Sequence, residues 1–296
     1  MRTFILGTDW GSDCDDVVAV RILTRAVHAG KIRLAGVIIN HVMTDSAASL
    51  DGFLHREGLK DVPIGIDKKA RDLTERVSYQ KRLAQYAVRY KSNEDAEDGV
   101  KLYRRLLAQA EDKVEIAEIG FLHVVADLLE SEADEISPLT GRELVRDKVA
   151  RIWSMAGKWD EDGGREYNIF CTPCTRAGAY AFVESCPVPV TFLGFEIGAD
   201  VISGRGLAKD DLLYAAMCDH GSPNGRLSWD PMLADLAVTG DAEVAGYTAV
   251  QGTARIDRET GANHFTEDAA GLHSYVVRKY DPAWYEARLE RAILSE

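Results

Sequence analysis

The sequence contains no apolar stretch long enough to span a bilayer and no run of lysines and arginines. Its formal net charge is −13. The first absence argues against a helical membrane protein. The second, with the acidic balance, argues against nucleic acid or an anionic membrane as the main partner. Cysteines are few and odd in number: Cys14, Cys171, Cys174, Cys186 and Cys218. That argues against a disulfide framework and fits reduced thiols in the cytoplasm. The opening Met1-Arg-Thr-Phe-Ile-Leu-Gly-Thr-Asp9 turns polar too soon for a secretory signal, a second reason to expect a cytoplasmic location. Cys171-Thr-Pro-Cys174 has the spacing of a redox or zinc pair, but no second Cys pair or His-x-His completes a zinc site. These cysteines are therefore read as two small buried residues opening a helix. A Gly-Lys-Ser/Thr phosphate loop is also missing.

What is present is a chain of 296 residues, 46% hydrophobic, in which strand-like and helix-like segments alternate. Strands are predicted over Thr3–Gly7, Ile32–Ile39, Val62–Ile66, Val114–Ile119, Val149–Met155 and Val188–Phe195. Helices are predicted over Asp16–His28, from Thr44 or Asp45 to Glu57, and over Val77–Tyr90, Val100–Ala110, Val124–Leu129, Thr172–Val183, Lys209–Met217, Asp230–Val238 and Pro282–Leu294. Ala245–Val250 and the region Gly252–His273 alternate more strictly and suggest an antiparallel edge. The pattern implies an α/β fold, with a mainly parallel open sheet flanked by helices, a Rossmann-like core and one domain over residues 1–296. Gly163-Gly164 and Gly221–Gly225 are expected to form loops over a site.

The most informative segment is Phe4-Ile-Leu-Gly-Thr-Asp-Trp-Gly-Ser-Asp-Cys-Asp-Asp16. An apolar run ends in Asp9, Asp13, Asp15 and Asp16, and an apolar helical pattern follows at once. Acids crowded at the end of a buried strand repel one another unless a cation sits among them, and a hard divalent ion suits oxygen ligands. The loop also lies beyond the carboxyl end of a strand, where open α/β sheets bind ligands. An EF-hand is excluded, because counting from Asp9 or from Asp13 puts neither the required Gly nor the required Glu in place. An aspartyl-phosphatase loop fits poorly, since Trp10 and Gly11 follow Asp9. Helix capping accounts for one or two of the acids, but not for Asp9.

This loop resembles the opening motif of the inosine-uridine nucleoside hydrolase family, Asp-x-Asp-x-Gly-x-Asp-Asp before a helix. It departs at Gly7, where the family has its first Asp, and by two extra residues after Gly11. A family branch with Asp-x-Gly-Ser-Asp-x-Asp-Asp is closer. Further along, Asp61-Val-Pro-Ile-Gly-Ile66, Ile119-Gly-Phe-Leu-His123, Met155-Ala-Gly157, Glu166-Tyr-Asn168 and Ser228-Trp-Asp230-Pro resemble family segments in the same order.

The resemblance implies calcium-dependent hydrolysis of the N-glycosidic bond of a ribonucleoside, giving ribose and a free nucleobase, in the service of purine or pyrimidine salvage. It implies Ca²⁺ held by the carboxylates of Asp9, Asp16 and Asp230 and by the backbone carbonyl of His123. Asp15 would hold the ribose diol. Glu166 and Asn168 would hold its outer hydroxyls, and Asn40 (or its neighbour His41) would also reach the sugar. Asp9 would act as base toward the attacking water. Many family members have a His before the last Asp; here Trp229 stands there. An indole is no acid at neutral pH but can stack on a base. His220 is the candidate substitute acid, with Arg226 as an electrostatic aid. The family also implies a homodimer or homotetramer. Two alternatives follow from the departures: a non-catalytic protein that binds a ribosyl ligand, and another metal-dependent hydrolase such as a phosphatase.

Overall fold

The computed structural model describes residues 1–11, 13–69, 73 and 79–295. In chain order the elements are β1 (Arg2–Thr8), α1 (Asp15–His28), β2 (Ile32–Ile39), α2 (Ser46–Arg56), β3 (Ile64–Ile66), α3 (Gln80–Leu83), β4 (Glu97–Asp98), α4 (Gly99–Gln109) and β5 (Val114–Glu118). Then come α5 (His123–Glu130), α6 (Gly141–Lys148), β6 (Val149–Met155), α7 (Tyr167–Phe170), α8 (Pro173–Ser185), β7 (Val190–Leu193), α9 (Phe195–Gly198) and β8 (Ile202–Ser203). The chain ends with α10 (Leu212–His220), β9 (Arg226–Leu227), α11 (Trp229–Thr239), β10 (Tyr247–Ile256), β11 (Asn263–Glu267), β12 (His273–Arg278) and α12 (Pro282–Leu294).

Ten strands form one sheet in the order β11-β10-β12-β7-β6-β5-β1-β2-β3-β4. Every pairing from β12 to β4 is parallel, and only β10 runs antiparallel to its two neighbours. The antiparallel edge thus falls where the alternating C-terminal pattern places it. Side chains of a strand alternate between faces. In β1, Phe4 and Leu6 enter the core beneath α1, α2, α11 and α12, while Ile5 enters the opposite core beneath α4, α5, α6 and α8. Burial on both faces explains why this strand is a continuous apolar run.

Some boundaries differ from expectation for visible reasons. The start of the Val77–Tyr90 helix lies outside the described residues. Its described part is α3 followed by one 3₁₀ turn, Ala84–Tyr86. It stops there because the N–H groups of Val88 and Arg89 donate to Asp51 Oδ2 at 2.6 and 2.8 Å instead of continuing a helix. The Ser92–Gly99 loop contributes the two-residue edge strand β4. Helix α6, too short and polar for its period to stand out, is held at its start by a reciprocal Thr140–Glu143 capping box. Cys171 and Cys174 are half-buried rather than fully buried, and the hydroxyl of Thr172 between them caps α8. The Gly163-Gly164 turn bridges to Asn263 instead of covering a site. Among the described residues no helix is long and apolar enough to cross a membrane.

Candidate active site

Strand β1 delivers the acidic loop to the carboxyl edge of the sheet. Trp10 is fully buried and fixes the loop, its indole N–H donating to Ser49 Oγ at 2.8 Å and its ring packing on Phe53 and Tyr79. Gly11 turns the chain at φ +108, and a Cβ there would stand 2.2 Å from the Gln80 amide nitrogen, so this turn needs glycine. Helix α1 begins beyond the turn with Asp15 and Asp16 in its first turn, where the helix dipole favours negative charge. Beside α1 on the same face of the sheet, helix α11 starts at Trp229 and presents Asp230 from its own first turn.

These segments bring Asp9, Asp16 and Asp230 together. Each is buried, and each offers a carboxylate oxygen within 4.8 Å of the others. Thr8 Oγ1 donates to one oxygen of Asp16; the other, Oδ2, is buried with no hydrogen-bond partner. Asp15 accepts from the backbone N–H of Asp230 at 3.3 Å, which ties α1 to α11. Burial first, and then mutual repulsion, hold the carboxyls of Asp15, Asp16 and Asp230 well above the usual range. An all-oxygen donor set with an orphaned buried carboxylate oxygen fits a hard divalent cation.

The approach of neighbouring strands is close. A Cβ on Gly120 would lie 2.8 Å from Asp9 Oδ1 and 2.7 Å from Asn40 Oδ1, so only glycine lets these two side chains sit here. Asn40 Oδ1 accepts from Phe121 N–H at 3.1 Å, and its Nδ2 is a buried donor without a partner. The departure at position 7 also has a cause. A Cβ on Gly7 would stand 1.9 Å from Glu118 Oε2. Glu118, from β5, is buried, accepts from the Tyr103 hydroxyl, and is pushed up to about 8 by burial. Between the ordinary 4.5 and about 8 the folded chain holds a proton that the unfolded chain has lost. Stability therefore falls as pH rises through that window and levels off above it. Glu118→Gln is expected to abolish this part of the slope. The variant should gain on the parent by at most about 1.4 kcal/mol per pH unit. Urea unfolding at several pH values across the window checks this, and parallel pH profiles would contradict it.

The acids open on a cavity of about 220 Å³ lined by Asp9, Asp13, Asp15, Asp16, Asp230, Glu166, Asn168 and Arg226, with Ile119, Met155, Tyr167, Phe195 and Trp229 as its less polar walls. Glu166 caps α7, accepting from the N–H groups of Asn168 at 2.8 Å and Gly157 at 3.1 Å; burial still pushes it up to about 8. Asn168 donates to the Met155 carbonyl at 2.9 Å, which fixes its amide. Trp229 stacks on Phe195 with centroids 5.3 Å apart and an interplanar angle of 23°, and its indole N–H donates to the Phe195 carbonyl at 2.8 Å.

Eight of the residues given a role from sequence thus line one cavity: Asp9, Asp15, Asp16, Glu166, Asn168, Arg226, Trp229 and Asp230. Asn40 lies beside Asp9, just behind the wall. His123 does not line the cavity: its imidazole meets Asp67 at 3.2 Å, at the start of α5. Ile119, where β5 ends, is the residue of that turn that reaches the cavity. His220, at the end of α10, also stands off the cavity, with Ser222 Oγ at 3.1 Å and Asp13 at 3.5 Å. Sequence reasoning left Asp13 unassigned. Here it takes the guanidinium of Arg226 in a two-point pair, with Nε at 2.9 Å and Nη2 at 2.5 Å. Tyr167, Phe195, Met155 and Ile119 were missed, since each reads as an ordinary core residue.

No family model matches the sequence, and no curated protein matches it. Solved structures do. An inosine-uridine preferring nucleoside hydrolase from Bacillus anthracis superposes with a TM-score of 0.67 at 18% identity, over 99% of this chain and 100% of that one. A purine-preferring ribonucleoside hydrolase from Gardnerella vaginalis gives 0.71 at 15% identity, over 99% and 98%. The type III effector protein XopQ, complexed with adenosine diphosphate ribose, gives 0.68 at 17% identity, over 99% and 93%. At these identities the likeness is one of fold: the chain has the nucleoside hydrolase fold along essentially its whole length. The α/β architecture expected from the alternating strand and helix pattern is the one found.

Proposed function

We propose that the protein is a calcium-dependent ribonucleoside hydrolase that releases ribose and a free nucleobase. The observation that carries this reading is the convergence of Asp9, Asp16 and Asp230, from β1, α1 and α11, at the sheet edge of a nucleoside hydrolase fold. Those three carboxylates would hold the ion, with a backbone oxygen from the turn after β5. The candidates for it are the carbonyl of His123 and that of Ile119, which lines the cavity. When bound, calcium supplies a water more acidic than bulk and positions for the ribose diol.

The chain's own residues do the rest. Asp9 takes the proton of the attacking water. Asp15 accepts hydrogen bonds from the diol, Glu166 and Asn168 hold the remaining hydroxyls, and the unpaired Nδ2 of Asn40, beside Asp9, is the one further donor offered to the sugar. The negative cluster stabilises the positive charge that grows on the sugar as the C1′–N bond lengthens. Trp229 and Phe195 offer a face on which the nucleobase stacks.

The test is ribose release from a panel of purine and pyrimidine nucleosides in calcium-containing buffer. Turnover of at least one supports the reading, and inert nucleosides throughout would overturn it. A second reading is a ribosyl-ligand binding protein without catalysis. It is favoured by the position of His220, off the cavity, and by the neighbour complexed with adenosine diphosphate ribose. Calorimetric binding of a nucleoside or of ADP-ribose without product would select it. Phosphate release from nucleotides, with nucleosides inert, would instead select a phosphatase.

A further inference from the structure

We infer that Arg226 is the group that activates the departing nucleobase, a step that rests on the ribonucleoside reading. Breaking the C1′–N bond leaves the electron pair on a base nitrogen, and a neutral base leaves slowly unless that charge is met. Trp229 cannot protonate it. His220 faces Ser222 and Asp13 instead of the cavity. Among the described residues, Arg226 is the only cationic side chain lining the cavity.

Its placement suits the role. The guanidinium lies 5.8 Å from the Trp229 ring, and Trp229 stacks on Phe195, so cation and aromatic face form one continuous wall. With the sugar held by the acids, a base lying against Trp229 meets Arg226 as well. Asp13 grips Arg226 through Nε and Nη2, which leaves Nη1 outside that pair as a donor. His220 backs Asp13 from behind at 3.5 Å. An arginine stays charged at any working pH, so it acts by hydrogen bonding and by its field, not by giving up a proton.

The step balances. The water oxygen bonds to C1′ and the water's proton passes to Asp9. The C1′–N bond breaks, and its electron pair stays on the base, compensated by Arg226. The base then takes a proton from solvent, and Asp9 returns its proton to solvent. The sum is nucleoside plus water giving ribose plus base.

The test compares Arg226→Gln and Arg226→Lys with the parent on inosine and on 4-nitrophenyl β-D-ribofuranoside, whose nitrophenolate leaves as a stable anion without help. Arg226→Gln is expected to lower kcat on inosine by about 100-fold or more while changing it on the nitrophenyl riboside by no more than about threefold. Arg226→Lys should recover part of the inosine rate. A retained calcium-induced rise in melting temperature shows that the variants fold and keep the acidic site. Equal losses on both substrates, or none on either, would overturn the inference. If the parent cleaves neither substrate, the ribonucleoside reading itself fails and takes the inference with it. If the parent cleaves only the nitrophenyl riboside, the sugar chemistry stands and the inference falls.

Discussion

Asp9→Asn is expected to reduce ribonucleoside hydrolysis by about 10³-fold or more, since it removes both the base and a metal donor. The same substitution should make the calcium-free protein more stable, by about 1 kcal/mol or more, because it relieves repulsion within a buried cluster. Asp16 and Asp230 are both driven up by Asp9, in addition to their own burial. Asparagine keeps the volume and a hydrogen-bonding oxygen but takes away the charge. Thermal denaturation in chelator and in calcium reads both signs: a higher midpoint than the parent without the ion, and little or no rise on adding it. A variant that loses activity and is also less stable without calcium would point to a structural role for Asp9. A variant that keeps activity would remove it from the chemistry.

The second large effect is at position 7. Gly7→Asp, which restores the residue that the family motif has there, is expected to cost more than about 3 kcal/mol and to yield little folded protein. The space is already taken: the new Cβ would fall 1.9 Å from Glu118 Oε2, and a second carboxylate would join the first out of water. Shortening the neighbour relieves the clash, so Gly7→Asp with Glu118→Ala should recover most of the loss. Expression yield and urea midpoints of the two single variants and the double variant measure this coupling. A well-folded Gly7→Asp protein, or a double variant no better than the single, would refute the conflict between a side chain at position 7 and Glu118.

The position 7 result also shows what a linear reading can and cannot reach. Asp9, Asp15 and Asp16 were legible because acids at the end of a two-faced buried strand have no packing reason to be there. Gly7 looked like a defect in the motif. Its neighbour Glu118 lies more than a hundred residues away on the adjacent strand, so no local pattern could show that its carboxylate fills the space beside Gly7. Asp230 was legible as a metal ligand only through the order of motifs along the chain. The pair Asp13–Arg226 spans 213 residues and carries no periodic signal. Tyr167 and Phe195 wall the cavity with side chains indistinguishable, in sequence, from core aromatics. The same limit applies to His220, which drew attention as a chemically capable side chain: a helix end turns it toward Ser222. Strand and helix order was readable because hydrophobic period is local; the direction of a single side chain at an element's end is set by its tertiary neighbours.

Calcium titration of the metal-free protein is the most direct measurement of the claim on which the rest depends. Isothermal calorimetry should find one tight site per chain. Binding should release protons, and affinity should rise with pH, because burial and mutual repulsion favour the protonated carboxyls of Asp16 and Asp230 while the ion favours the ionised ones. Asp16→Asn and Asp230→Asn should each abolish the site. No heat and no bound calcium in the parent, or binding left intact in both variants, would contradict the account.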